Sequence, residues 1–205
     1  TGSSNTASGY YSLKANTTGG QNTASGFLAL KLNTTASYNT AYGSCTLFAN
    51  TTGAENTGVG HKALKANTCG HYNTAIGNDA LALNTTASNN TAVGYRSLKA
   101  NTTGKINTAV GGNAMVNTTS GSYNTAVGQA SLASNTTAGI NAAFGFNALT
   151  STTTGGYNTS LGSQSSRFNT TGAYNTASGN YALYKNTTGC WNTATGTRSL
   201  YCNTT

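Results

Sequence analysis

Few of the 205 residues are of a type that does acid–base, nucleophilic or metal chemistry. The acids are Glu55 and Asp79, the histidines are His61 and His71, and the thiols are Cys45, Cys69, Cys190 and Cys202. General acid–base catalysis needs a paired, positioned set, and a metal site needs clustered ligands. Counted along the 17-residue period described below, the two acids and two histidines fall at four different positions. The sequence therefore predicts no enzyme, no cofactor and no metal site. The cysteines fall at positions 7, 14, 16 and 11, and in-register neighbours would share a position. Cys45–Cys69 and Cys190–Cys202 remain candidate disulfides across neighbouring coils, with free surface thiols as the alternative.

Two further sets of residues carry possible chemistry. The first is the Asn-Thr-Thr triplet, an acceptor pattern for N-linked glycans, at Asn16, Asn33, Asn50, Asn84, Asn101, Asn117, Asn135, Asn169, Asn186 and Asn203. Two readings stay open: an outward row of glycosylated amides, or a structural amide ladder. Glycans on successive coils would sit only about 4.8 Å apart, which crowds them severely. The second set is the source of most of the net charge of +8: Lys14, Lys31, Lys65, Lys99 and Arg167 at position 10, with Lys62, Arg96 and Arg198 at position 7. Such residues either solubilise a neutral surface or form a stripe attracting polyanions such as anionic polysaccharide.

What positions these residues is an internal repeat. Aligning on Asn-Thr gives twelve 17-residue copies, starting at Asn5, Asn22, Asn39, Asn56, Asn73, Asn90, Asn107, Asn124, Asn141, Asn158, Asn175 and Asn192. The consensus reads N-T-A-V-G-x-x-A-L-x-x-N-T-T-G-x-Y, with Asn at position 1 and Gly at position 5 in every copy. Leu, Ile, Val and Phe are scarce, and only 6% of residues are charged. Low hydrophobicity with strict order fits a narrow repeat protein rather than a disordered chain. Proline is absent, as suits a backbone whose N–H groups are needed in ladders.

Seventeen residues fit one turn of a β-coil, and a glycine inside every unit weakens any helix. The expected fold is all-β: a parallel β-solenoid of twelve coils with about two short strands each. Positions 17 to 4 would form one strand and positions 8 to 11 another, with a turn at the position-5 glycine and a return loop over 12 to 16. Stacked at about 4.8 Å, the coils would make a rod on the order of 55–60 Å long. Position 9, nearly always Leu, is the expected core column. Ser166 breaks it, and Leu161 and Phe168 in the same copy are expected to compensate. In copy seven the second Asn comes one residue early, at Asn117, and a local slip is expected there. Position 17 carries a column of large residues: Tyr38, Tyr72, Ile106, Tyr123, Ile140, Tyr157, Tyr174 and Trp191.

Ala75-Ile76-Gly77, Ala109-Val110-Gly111 and Ala126-Val127-Gly128, each followed by two variable residues and a small one, resemble the A-[IV]-G-x-x-[AS] core of YadA-type head repeats. That family is the trimeric autotransporter adhesins, and similar N-T-A-V-G-x-x-A-L arrays occur in phage tail-fibre-like proteins. The resemblance implies left-handed parallel β-rolls and a surface appendage. The N-T-T-G segment has no counterpart in the family motif.

The expectation is one continuous array over residues 1–205, a window of a longer fibre protein. It would be a structural, self-associating segment outside the cell or on a cell or virion surface. Its partners would be further copies of itself and, in the alternative reading, an anionic polysaccharide or a cell surface bound by an adhesin-like appendage. No nucleic acid partner and no membrane insertion are expected. Ice binding is less favoured, because the loop threonines are adjacent rather than spaced T-x-T on one face.

Overall fold

The computed structural model describes residues 2–205. It divides into two compact units, Thr1–Thr103 and Gly104–Thr205. All regular structure among the described residues is parallel β. The first unit holds β1 (Thr6–Ser8), β2 (Thr23–Ser25), β3 (Thr40–Tyr42), β4 (Thr57–Val59), β5 (Thr74–Ile76) and β6 (Thr91–Val93). The second holds β7 (Thr108–Val110), β8 (Thr125–Val127), β9 (Ala142–Phe144), β10 (Thr159–Leu161), β11 (Thr176–Ser178) and β12 (Thr193–Thr195). Within each unit every strand pairs with its successor at a register of one repeat, for example Thr57↔Thr74 and Thr125↔Ala142. Each unit is thus a β-solenoid of stacked 17-residue coils.

The strand covers only positions 2 to 4 of each copy. The second strand expected over positions 8 to 11 is absent. Those residues form turns in which positions 7 and 9 both have positive φ, as at Lys62 (60°) and Leu64 (52°), or Arg96 (55°) and Leu98 (48°). A left-handed conformation costs a non-glycine residue roughly 1–2 kcal/mol. Burying the position-9 leucine, which contributes roughly 1.5–3 kcal/mol, offsets it. The chain still pairs with its neighbours through this region. Position 7 donates back to the preceding coil (Lys62 N–H to Ser44 C=O, 3.0 Å), while position 9 donates forward (Leu64 N–H to Ala80 C=O, 3.0 Å). Backbone pairing therefore continues around the coil without a second strand.

Position 5 requires glycine. Gly128 has φ +132°, and a Cβ there would lie 2.4 Å from the carbonyl oxygen of Gly145 in the next coil. No other residue fits both the angle and the approach.

The interior is lined by positions 1, 3, 8, 9, 12 and 15. Leu30, Leu47, Leu64, Leu81, Leu98, Met115, Leu132, Leu149 and Leu183 are fully buried, flanked by the small residues of positions 3 and 8. Position 8 is small because it faces this interior. Ser166 is buried at position 9, but the expected compensation does not occur: Leu161 and Phe168 are exposed. Their positions, 4 and 11, face outward. That coil has a polar centre instead, where Ser160 and Ser165 share a hydrogen bond and Ser165 also donates to the Gly162 carbonyl. Nor is there a slip in copy seven. Thr118 takes the buried position 12, its N–H bonding to the Met115 carbonyl as position 12 does elsewhere, and Asn117 is exposed at position 11.

Cross-coil packing is tight enough to couple single atoms. Position 3 is Gly58 in β4, and a Cβ there would lie 2.6 Å from Cγ2 of Thr46, the buried position-8 residue of the preceding coil. Gly58→Ala should therefore lower stability, and adding Thr46→Ala should return most of the loss. A double-mutant cycle by denaturant unfolding should give a coupling of about 1 kcal/mol or more. Additive effects would contradict this packing.

Candidate functional site

The two asparagine columns are the most elaborate polar feature of the molecule. At position 1, Oδ1 of one Asn accepts both the backbone N–H and an Nδ2 hydrogen of the Asn in the next coil. Asn39 Oδ1, for instance, receives Asn56 N–H at 3.0 Å and Asn56 Nδ2 at 3.2 Å. The other Nδ2 hydrogen goes inward to the position-15 carbonyl, as Asn56 to Gly70 at 2.8 Å. At position 12 the pattern is the same without the backbone donor: Asn67 Nδ2 bonds Asn50 Oδ1 at 2.8 Å and the same Gly70 carbonyl at 3.0 Å. Both columns thus converge on one carbonyl per coil. Asparagine alone combines a short stem with a donor and an acceptor pair able to propagate in this way.

This burial corrects the glycan reading. Asn33, Asn50, Asn84, Asn101, Asn135, Asn169 and Asn186 are at most 1% exposed. Their amides, committed to ladders or closed off from solvent, are not available to carry a glycan in the folded chain. Asn16 and Asn203 are partly exposed, and of the ten only Asn117 is fully exposed, because Thr118 replaces it in the ladder. The other threonine in this column, Thr152, leaves a mark. Asn135 Oδ1 in the preceding coil is buried without a hydrogen-bond partner, and Asn169 Nδ2 reaches Thr152 Oγ1 only at 3.5 Å.

All four cysteines are free: neither the Cys45–Cys69 nor the Cys190–Cys202 bond is formed. Cys45 stands on the positive-φ turn and Cys69 on the return loop, so they do not meet. Cys190 instead accepts the Ala173 N–H at 3.3 Å, the position-16 role played by Ser37 and His71 elsewhere. Among the described residues no three His, Cys, Asp or Glu side chains gather as a metal site. Glu55 stands in the position-17 column, flanked one coil away on either side by Tyr38 and Tyr72. Asp79 lies 3.9 Å from Lys99, a part-exposed pair of small energetic weight.

The basic residues come together in part. Positions 7 and 10 face each other across one turn, closed by Lys65 N–H to Lys62 C=O (3.2 Å) and Lys99 N–H to Arg96 C=O (3.3 Å). All eight side chains, those of Lys14, Lys31, Lys62, Lys65, Arg96, Lys99, Arg167 and Arg198, are exposed or half-buried. Aromatic partners at positions 6, 7, 10 and 11 were not legible as part of this set. Lys14 Nζ lies 4.0 Å over the Tyr11 ring, Lys31 Nζ 5.3 Å over Phe48, Arg96 5.2 Å over Tyr95, Arg167 5.3 Å over Phe168 and Arg198 5.9 Å over Tyr201. Such contacts are worth about 0.5–1 kcal/mol at exposed sites. The hydrogen bond shared by the Tyr10 and Tyr11 phenols pushes Tyr10 up from the usual tyrosine range and Tyr11 down, with Lys14 adding to the second effect.

Two more surfaces emerge. Strand positions 2 and 4 face outward, giving a Thr-x-Val/Ile face at Thr57/Val59, Thr74/Ile76 and Thr91/Val93, which the loop threonines did not reveal. Exposed Tyr42, Phe144 and Leu161 interrupt that column. The position-17 residues are exposed and, where aromatic neighbours follow one another, stack: Tyr157–Tyr174 at 4.7 Å and Tyr174–Trp191 at 4.0 Å. No helix of the described residues is long and apolar enough to cross a membrane.

No family model, curated protein or solved structure matches this chain.

The orphaned Asn135 oxygen makes the ladder testable. Thr152→Asn should supply the missing donor and raise stability by about 1 kcal/mol, read as a higher denaturant midpoint at unchanged slope. A lower midpoint would show that this column does not carry the energy assigned to it.

Proposed function

We propose that this chain is a structural segment of an extracellular fibre or filament, built to present a repetitive surface and to associate with further copies of itself. It is not an enzyme in this reading. The observation that carries it is the commitment of buried polar groups to the stack: backbone and both asparagine columns tie each coil to its neighbours in register within each unit. Sequence and energy are spent on axial cohesion rather than on a concave catalytic pocket. The likeness to YadA-type and tail-fibre-like repeats supports the same reading, as does the exposed aromatic column available to a second copy. Sedimentation velocity of the purified chain over a range of concentrations, with electron microscopy, tests it. Concentration-dependent assemblies with an axial repeat of about 4.8 Å are expected, and a chain that stays monomeric throughout would overturn self-association.

A second reading, an adhesin-like appendage for anionic polysaccharide or a cell surface, is favoured by the basic and aromatic side chains interleaved along positions 6, 7, 10 and 11. Guanidinium and ammonium groups over rings present charge and flat apolar area together. Retention on immobilised heparin should fall with added salt. It should fall further in a variant combining Lys14→Gln, Lys31→Gln, Lys62→Gln and Lys65→Gln. No retention of the parent chain at low salt would end this reading.

A further inference from the structure

We infer that coils ten to twelve, in the second unit, form a recognition site for the oxyanion groups of an acidic polysaccharide, centred on Arg167 and Tyr181. The inference rests on the polyanion-binding reading above and gives it a place that the charge pattern alone does not. Residues 104–205 contain four cationic side chains, Lys105, Arg167, Lys185 and Arg198, and no Asp or Glu, since Glu55 and Asp79 both lie in the first unit. In the first unit Lys99 has Asp79 at 3.9 Å. No carboxylate side chain of the second unit does the same for Arg167, Lys185 and Arg198, which stand one to a coil at intervals of about 4.8 Å. An anionic polymer lying along the coils supplies the missing counter-charge.

What separates this patch from a loose row of cations is that its donors are held. Arg167 Nη1 donates to Gln164 Oε1 at 2.8 Å, and Gln164 Nε2 donates in turn to the Tyr181 hydroxyl at 2.9 Å. Gln164 thereby fixes the guanidinium by one nitrogen and leaves its other N–H groups for a ligand. The Tyr181 hydroxyl already accepts, so its own hydrogen is left to donate. Arg198 lies over the Tyr181 and Tyr201 rings at 6.0 and 5.9 Å, and Lys185 over Tyr201 at 5.7 Å. Arg198 and Lys185 are exposed and Arg167 is half-buried. A planar guanidinium fork matches sulfate or carboxylate oxygens two at a time. The rings are not offered in the same way: Tyr184 stacks on Tyr201 at 5.0 Å and meets Tyr181 edge-on at 5.1 Å. Single-stranded nucleic acid stacks its bases on open ring faces, and here cations and neighbouring rings already take up ring surface. A chain rich in oxyanions but without aromatic bases is the partner that fits.

The test is an NMR titration of the chain combining Lys14→Gln, Lys31→Gln, Lys62→Gln and Lys65→Gln, which leaves the second unit untouched. A heparin octasaccharide, hexagalacturonate and a thymidine dodecanucleotide are run as separate arms. One or both saccharides should give saturable shifts at Tyr181, Tyr184 and the Arg167 side chain, the heparin arm reporting sulfate and the galacturonate arm carboxylate. Adding Arg167→Lys keeps the charge but removes the fork, and should weaken that binding at least about tenfold. Adding Tyr181→Phe instead alters no charge and should weaken it about threefold or more. Retention of the parent chain on heparin without shifts at these residues would overturn this site and leave the polyanion reading standing, whereas no retention of the parent would remove both. Undiminished binding by the Arg167→Lys chain or by the Tyr181→Phe chain would also overturn the site. So would saturation of the same residues by the thymidine oligomer at equal or lower concentration.

Discussion

Each coil must land on its predecessor in register, and the buried asparagine amides are what make any other arrangement costly. A position-1 amide removed from water has two donors and an oxygen to satisfy. Here the neighbouring coil and the position-15 carbonyl satisfy them all. A shift of one residue would bury those groups unpaired, at about 1–3 kcal/mol each, in every coil at once. The leucine column supplies the apolar burial, but a row of leucines would tolerate small slips that a row of amides does not. Cohesion comes from the hydrophobic column and register from the polar one.

The remaining features follow from that division. A 17-residue loop has little room for a wide core, so positions 3 and 8 are small and a single leucine fills the centre. To aim that leucine inward within so short a turn, the backbone adopts a left-handed conformation at positions 7 and 9. The same alternation sends backbone donors both up and down the stack. Glycine at position 5 lets adjacent coils approach more closely than a side chain allows. Outward positions are then free to vary, and they do: lysine, tyrosine, cysteine and asparagine exchange at positions 7, 10, 16 and 17 without disturbing the interior. What differs from coil to coil is which side chains neighbour each other along an outward column, as the stacked Tyr157, Tyr174 and Trp191 illustrate.

Much of this was readable from residue order. The period, the parallel coil, the leucine column and the turn at glycine follow from twelve aligned copies, because a constraint shared by all copies shows as constancy. The eight basic residues were located, and their two positions do share one turn. The second strand was misjudged, since A-L-x-x has the composition of a strand and nothing in it announces a positive φ at leucine. The compensation assigned to Leu161 and Phe168 failed for a related reason. Bulk was visible in the sequence, but the direction of each side chain was not.

Sequence alone therefore determined the length of the repeating unit, its β character and the identity of the core column, all of which depend on periodicity. Only the tertiary structure decided which polar columns face inward. Asparagine and threonine suit a solvated loop and a buried ladder equally well by type, and the choice turns on where their partners stand. The ten Asn-Thr-Thr triplets show this best. As a pattern they are identical, yet most are sealed in the interior, and Asn117 stands in solvent because Thr118, one residue on, takes the place beneath the next amide.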